Sequence, residues 1–302
     1  MDRPGFYHVT RPFSGCRQVE AWSGYPLQLA DQRLFPWQDQ MAVEVQTALA
    51  ELAILPGESL AGVYLSTDDS LCDAENRLFT NPREAIPRRV TSITFERGWA
   101  SPPQPPVPVS SVKGHVYYYR YRPGGAWEWW EPDQTLARWH RVPRVLPDDE
   151  SGRPYWLAMK LAAAAGQVET FGLTLDDTAP FGLRLVVHAR AWGPRSAPAI
   201  CEMLIDGTVA VFHAGAGNAA VVAAALAPRM AGMALGDIEA LVAMNSPGPF
   251  FGTSPFVVTG RRVQINPSDE RCYAGQVTIR PDAQSQSVEI SGELFTLRRA
   301  RA

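Results

Sequence analysis

The spacing of apolar positions divides the chain into stretches with a helical period and stretches with the two-residue period of strands. Met41, Val45, Ala48, Leu49, Leu52 and Leu55 recur at intervals of three and four, which predicts a helix from Trp37 that Pro56-Gly57 would stop. AGVYLS then reads as a strand, and RVTSITFERG alternates well enough for another. SPPQPPVPVSS, residues 101–111, is too rich in proline for either state and predicts an extended connector. PYWLAMKLAAAAG predicts a helix ended by Gly166, and GLRLVVHARAW a strand. Beyond Phe256, β-branched runs broken by Gly, Asn-Pro and Pro-Asp predict short strands and turns. No internal sequence repeat stands out.

One stretch has the look of a cofactor loop. VAVFHAGAGNAAVVAAALA carries G-x-G-x-x-A at Gly215, Gly217 and Ala220, the form of a dinucleotide-binding turn. Such a turn needs a strand before it. Here Ile200, Met203, Leu204, Val211 and Phe212 fall at helical offsets, with Ser196 placed to cap the helix and Pro198 tolerated in its first turn. AGAGN therefore joins two helices, with Asn218 capping the second. GDIEALVAM puts its acids first and predicts a third helix, not a strand ending in the ribose-binding acid. No phosphate cradle is expected.

The strongest local turn signal lies in VKGHVYYYRYRPGGAWEWWEP. Gly124-Gly125 suits the positive φ angles of a two-residue hairpin loop, which would pair Arg122 with Trp127 and Arg120 with Trp129. One face of this aromatic hairpin would then present Tyr118, Arg120, Arg122, Trp127 and Trp129. Indole and guanidinium planes on one surface can stack a base or a partner's side chain, and arginine and tryptophan are favoured at interface hot spots.

Candidate catalytic chemistry is sparse. Ser59 in GESLAG has the glycines of a nucleophile elbow, but helix precedes and strand follows, the reverse of the required order. No His-x-x-x-His or Cys-x-x-Cys spacing occurs, and Cys201 and His213 are too far apart on one helix to form a dyad. The acids Asp68, Asp69, Asp73 and Glu75 follow the AGVYLS strand. Converging carboxylates at a strand end are the ligand type for Mg²⁺ or Mn²⁺ and would support metal-dependent hydrolysis.

Composition narrows these readings. With 302 residues, 46% hydrophobic and 20% charged, the chain has ample core for one large or two modest domains. LPDDESGRP marks a boundary that separates residues 1–150 from 151–302. A net charge of −3 excludes a general polyanion binder and leaves nucleic acid only through a local patch. Only Lys113 and Lys160 among 28 basic residues are lysines, which, with abundant Ala and Pro, points to a GC-rich bacterial genome. Four scattered cysteines and the lack of a long apolar run predict a reduced, cytoplasmic protein that does not enter a membrane.

The expectation is an α+β protein with mixed, largely antiparallel sheets, an aromatic hairpin and a three-helix segment in its C-terminal half. Its expected role is that of a cofactor-free binding or assembly subunit that meets a protein partner, or nucleic acid, through the hairpin. The alternative is a metal-dependent hydrolase or nuclease that uses Asp68, Asp69, Asp73 and Glu75.

Overall fold

The computed structural model describes residues 5–301 apart from 14, 29–31, 71, 81–85, 88–89, 145–152, 177, 191–196, 231, 246–247, 253, 261, 266 and 286. The protein is α+β. Its strands are β1 (Tyr7–Val9), β2 (Val19–Ser23), β3 (Leu60–Ser66), β4 (Ser92–Arg97), β5 (Tyr117–Pro123), β6 (Trp130–Pro143), β7 (Val168–Thr170), β8 (Phe181–Ala189), β9 (Phe256–Thr259), β10 (Arg262–Ile265), β11 (Cys272–Pro281) and β12 (Glu289–Arg299). The helices are α1 (Pro36–Glu51), α2 (Arg153–Ala164), α3 (Ala197–Val209), α4 (Ala219–Leu226) and α5 (Leu235–Ala243).

Ten strands form one sheet in the order β1-β2-β5-β3-β4-β11-β8-β12-β6-β7, and β9 and β10 form a separate antiparallel pair. The order hides a repeat. In the N-terminal unit β2-α1-β3-β4-β5, β5 lies antiparallel between β2 and β3, and β3 runs parallel to β4. In the C-terminal unit β6-α2-β8-β11-β12, β12 lies antiparallel between β6 and β8, and β8 runs parallel to β11. The units meet where β4 pairs antiparallel with β11, which relates them by an approximate two-fold. The topology thus repeats although the sequence does not.

Apolar alternation decides which face of the sheet receives helices. Tyr117, Tyr119 and Tyr121 of β5, Ile93 and Phe95 of β4, and Leu183, Leu185 and Val187 of β8 join α1, α2 and α3 in the main core. Tyr118 points the other way, into a smaller cluster with Trp22, Val63 and Leu65. The proline-rich connector covers that cluster: Val109 packs on it, and the Trp22 indole donates to the Pro103 carbonyl at 2.9 Å. At the start of α1 the flanking Phe35 has no polar side chain, so Gln38 accepts the Leu34 and Phe35 N–H groups at 2.9 and 3.0 Å, and Pro36 takes the first helical position. The helix ends at Glu51, one turn earlier than its apolar spacing predicts, and Leu55 is exposed.

Three expectations need correction. The aromatic hairpin does not form: both edges of β5 are taken by β2 and β3, and β6 pairs with β12 and β7. Gly124 has φ +139° but Gly125 has no positive φ, so the type I′ turn, which needs both, is absent. Residues 124–129 instead cross from one unit to the other. The C-terminal strands β11 and β12 are not short; with 10 and 11 residues they rank among the longest of the sheet. Asn218 precedes α4 without a side-chain cap bond, and Ser196, the expected cap of α3, lies outside the described residues.

The segment before the glycine loop is helical, through α3 and a 3₁₀ turn at Ala210–Phe212. A Cβ on Gly215 would stand 2.4 Å from the Ala243 carbonyl oxygen, so glycine there permits close packing on α5. Among the described residues no helix is long and apolar enough to cross a membrane.

Candidate metal centre

The β3–β4 and β8–β11 connections are the matching parallel crossovers of the two units, and each delivers acids to the seam between them. Asp73 and Glu75 come from the first, just before a π-helical turn at Asn76–Thr80. The second supplies Glu202 and Asp206, one turn apart on α3, and then Asp269 and Glu270 in the 3₁₀ turn that leads into β11. Because α3 packs on β4, β11 and the π-helical turn, its acids are carried to the same point.

Carboxylate oxygens of Asp73, Asp269 and Glu270 lie within 4.8 Å of one another. They line a cleft of about 360 Å³ together with Glu202 and Asp206, and Arg77 is its only cationic side chain among the described residues. The Arg77 guanidinium is partly occupied, donating to the Leu27 carbonyl and to Gln28 Oε1, both at 2.9 Å. Asp269 is 6% exposed and Glu75 only 1%. Among the described residues, neither carboxylate oxygen of Glu75 is hydrogen-bonded to another residue.

Packing so many acids out of water penalises their charged forms. Burial, followed by repulsion from Asp73, Asp206 and Glu202, raises the Glu75 carboxyl well above its ordinary range. Burial and Glu202 push Asp206 up to about 7. Burial first, and then Glu75, Asp73 and Asp206, raises Asp269 well above its ordinary range. The last turn of α3 carries no basic residue, so the negative end of its dipole adds to the same field. The donor set is all carboxylate oxygen, the type that suits a hard divalent cation.

Of the four acids expected from the sequence, Asp73 joins the convergent group, and Glu75 is buried with these acids as charged neighbours. Asp68 and Asp69 lie apart from both. Asp68 closes a local turn, accepting the Ser70 N–H at 3.0 Å and the Tyr117 hydroxyl at 2.8 Å, while Asp69 is exposed. Glu202, Asp206, Asp269 and Glu270 were missed. Glu202 and Asp206 carried the one available signal, since like charges four residues apart on a helix are unfavourable without compensation.

The expected binding residues do gather on the other face of the sheet, as a strip along the crossover. Arg120 and Arg122 each reach Glu128 at 2.6 Å. Glu96 accepts the Glu128 and Trp129 N–H groups at 2.9 Å, which fixes the crossover to β4. Trp127 lies 4.9 Å beneath the Arg184 guanidinium and 5.7 Å from the Phe295 ring. Trp129 packs edge-on against Trp99 at 5.4 Å, and the Tyr118 hydroxyl donates to Glu20.

Among the described residues, the histidines and cysteines form no second ligand group. His188 is buried with its Nε2 3.1 Å from the Ser291 hydroxyl, and His213 Nε2 accepts the Ser268 N–H at 3.1 Å. Burial raises the thiols of Cys201 and Cys272 well above their ordinary range, so neither is a poised nucleophile. No family model matches the chain, and neither a curated protein nor a solved structure was found to resemble it.

Proposed function

We propose that the protein is a divalent-cation-dependent hydrolase whose cation, Mg²⁺ or Mn²⁺, sits on Asp73, Asp269 and Glu270. One observation carries the reading: carboxylates from two crossovers of the fold converge within 4.8 Å at an open cleft. A cation held there would activate a water and polarise an ester or phosphoryl oxygen. Asp206, beside Asp269 and at the cleft, is the group placed to take the proton from that water.

The alternative, a partner-binding surface on the arginine–tryptophan strip, is supported less well. Arg120 and Arg122 already share Glu128, and Trp127 is already stacked by Arg184. Chelator-treated protein assayed on chromogenic carboxylic esters, phosphomonoesters and phosphodiesters tests the reading. Turnover that appears with Mn²⁺ or Mg²⁺ and disappears in Asp73→Asn is expected. Cation-independent turnover, or cation-dependent turnover unchanged in Asp73→Asn, would contradict it.

A further inference from the structure

We infer that the cavity where β5 runs out into the crossover binds a phosphate group, free or borne by a small molecule, with Arg122, Ser59 and Gly125 as its donors. The site stands apart from the acidic cleft. Ser59 directly precedes β3 and Asp73 lies beyond its end, so the seven residues of that strand, about 20 Å, separate the two. Ser59 and Gly124-Gly125 are distant in sequence, and the fold joins them: Leu60 pairs with Pro123, and the Gly124 N–H donates to the Ser59 carbonyl at 2.9 Å.

Three unused donors gather there. Arg122 gives Nη2 to Glu128 at 2.6 Å, but its Nη1 donates to no described residue. The Ser59 hydroxyl and the Gly125 N–H have no acceptor among the described residues either. All three residues line one cavity of about 460 Å³. The two glycines keep the donors open: a Cβ on Gly124 would stand 3.4 Å from Nη1 of Arg122, and one on Gly125 would stand 3.3 Å from Oγ of Ser59.

The charge balance favours an anion. Glu128 serves both Arg120 and Arg122, which leaves one positive charge in excess. Arg17 and Glu58 also line the cavity but cancel each other in an ion pair at 2.5 Å. The donor set selects phosphate over carboxylate. A planar carboxylate is matched by the paired N–H groups of a guanidinium, and Glu128 already holds one of them on Arg122. Single donors from a guanidinium, a hydroxyl and a backbone N–H suit the separate oxygens of a tetrahedral phosphate. The cavity holds about fifteen water volumes, room for an organic part beside that group.

The experiment is a calorimetric titration of the chelator-treated protein at low ionic strength with inorganic phosphate, ribose 5-phosphate and acetate in turn. Saturable binding of phosphate is expected, weakened about tenfold by Arg122→Gln and about fivefold by Ser59→Ala, and unchanged in Asp73→Asn. If Arg122→Gln does not fold by circular dichroism, Ser59→Ala carries the test, because it removes a hydroxyl that bonds no described residue. Ribose 5-phosphate binding more tightly than inorganic phosphate assigns the site to a phosphorylated small molecule; the reverse order assigns it to the free ion. No saturable phosphate binding, binding undiminished in Ser59→Ala, or acetate bound as tightly as phosphate overturns the inference and leaves the cation reading of the cleft intact. Binding lost in Asp73→Asn would place the anion in the cleft and overturn it as well.

Discussion

On the strip, Glu128 stands 2.6 Å from both Arg120 and Arg122, and every charge on the crossover has an opposite charge or an aromatic ring in reach. On the other side of the sheet, Glu75 is more deeply buried than any of them, and its charged neighbours are acids. Both regions are rich in polar groups, and from the sequence both looked functional. What separates them is compensation. Charges matched inside the chain have their electrostatic work done by folding, whereas like charges left buried together shift their pKa values, and such shifted groups cluster at functional sites.

The contrast can be attacked from either side. The largest effect is expected from pH acting on the cleft. Asp206, Asp269 and Glu75 all titrate higher in the folded protein than in the unfolded chain, so the protonated state favours folding. The cation-free protein should be most stable near pH 4 and should lose on the order of 3 kcal/mol as pH rises from there through about 7, where Asp206 ionises. Urea unfolding across that range measures the loss, and flat stability would mean that the acids are compensated after all.

On the strip, Trp129→Ala removes a packed indole from the smaller core cluster and should cost about 3 kcal/mol in the same assay, at any pH in that range. A cost below about 1 kcal/mol would mark Trp129 as free for a partner. Returning to the cleft, Mn²⁺ at a hundredfold excess over its dissociation constant should stabilise the wild type by about 2.7 kcal/mol. Asp73→Asn combined with Asp269→Asn should abolish that gain, and a gain retained in the double variant would place the ion elsewhere.

The smallest effect is the most pointed, because the two regions should answer one chemical change with opposite signs. Glu128→Gln leaves two partly buried guanidiniums without their carboxylate and should destabilise by about 1–2 kcal/mol, discounted for their exposure. Glu75→Gln takes an uncompensated acid out of the core and should raise the melting temperature of the cation-free protein by a few degrees. Thermal denaturation in chelator reads both; equal signs would erase the distinction.

The fold class followed from local periodicity because faces are a local property. Tyr117, Tyr119 and Tyr121 were separated from Tyr118, Arg120 and Arg122 by simple alternation, and β5 presents them that way. Strand pairing is not local. Gly124-Gly125 signalled a turn, but β2 and β3 outcompete β6 for the edges of β5, and nothing in residues 115–131 records that competition.

The cleft failed to emerge for the same reason. Asp73 and Glu75 follow a strand, a position that marks them as ligand candidates, whereas Glu202 and Asp206 sit among the apolar residues of a helix whose periodicity reads as core. Asp269 and Glu270 join them only because β11 pairs with β4 across nearly two hundred residues of sequence. The two-fold relation of the units, which makes the seam a natural meeting point, left no trace in the residue pattern.

The central claim is that the cleft is a divalent-cation site, and its most direct test is the thermal denaturation of chelator-treated protein titrated with Mn²⁺ at pH 7.5 and again at pH 5. The account predicts a saturable rise in melting temperature at pH 7.5 that shrinks at pH 5, where protons occupy the ligands. A melting temperature indifferent to Mn²⁺ at both values would contradict it.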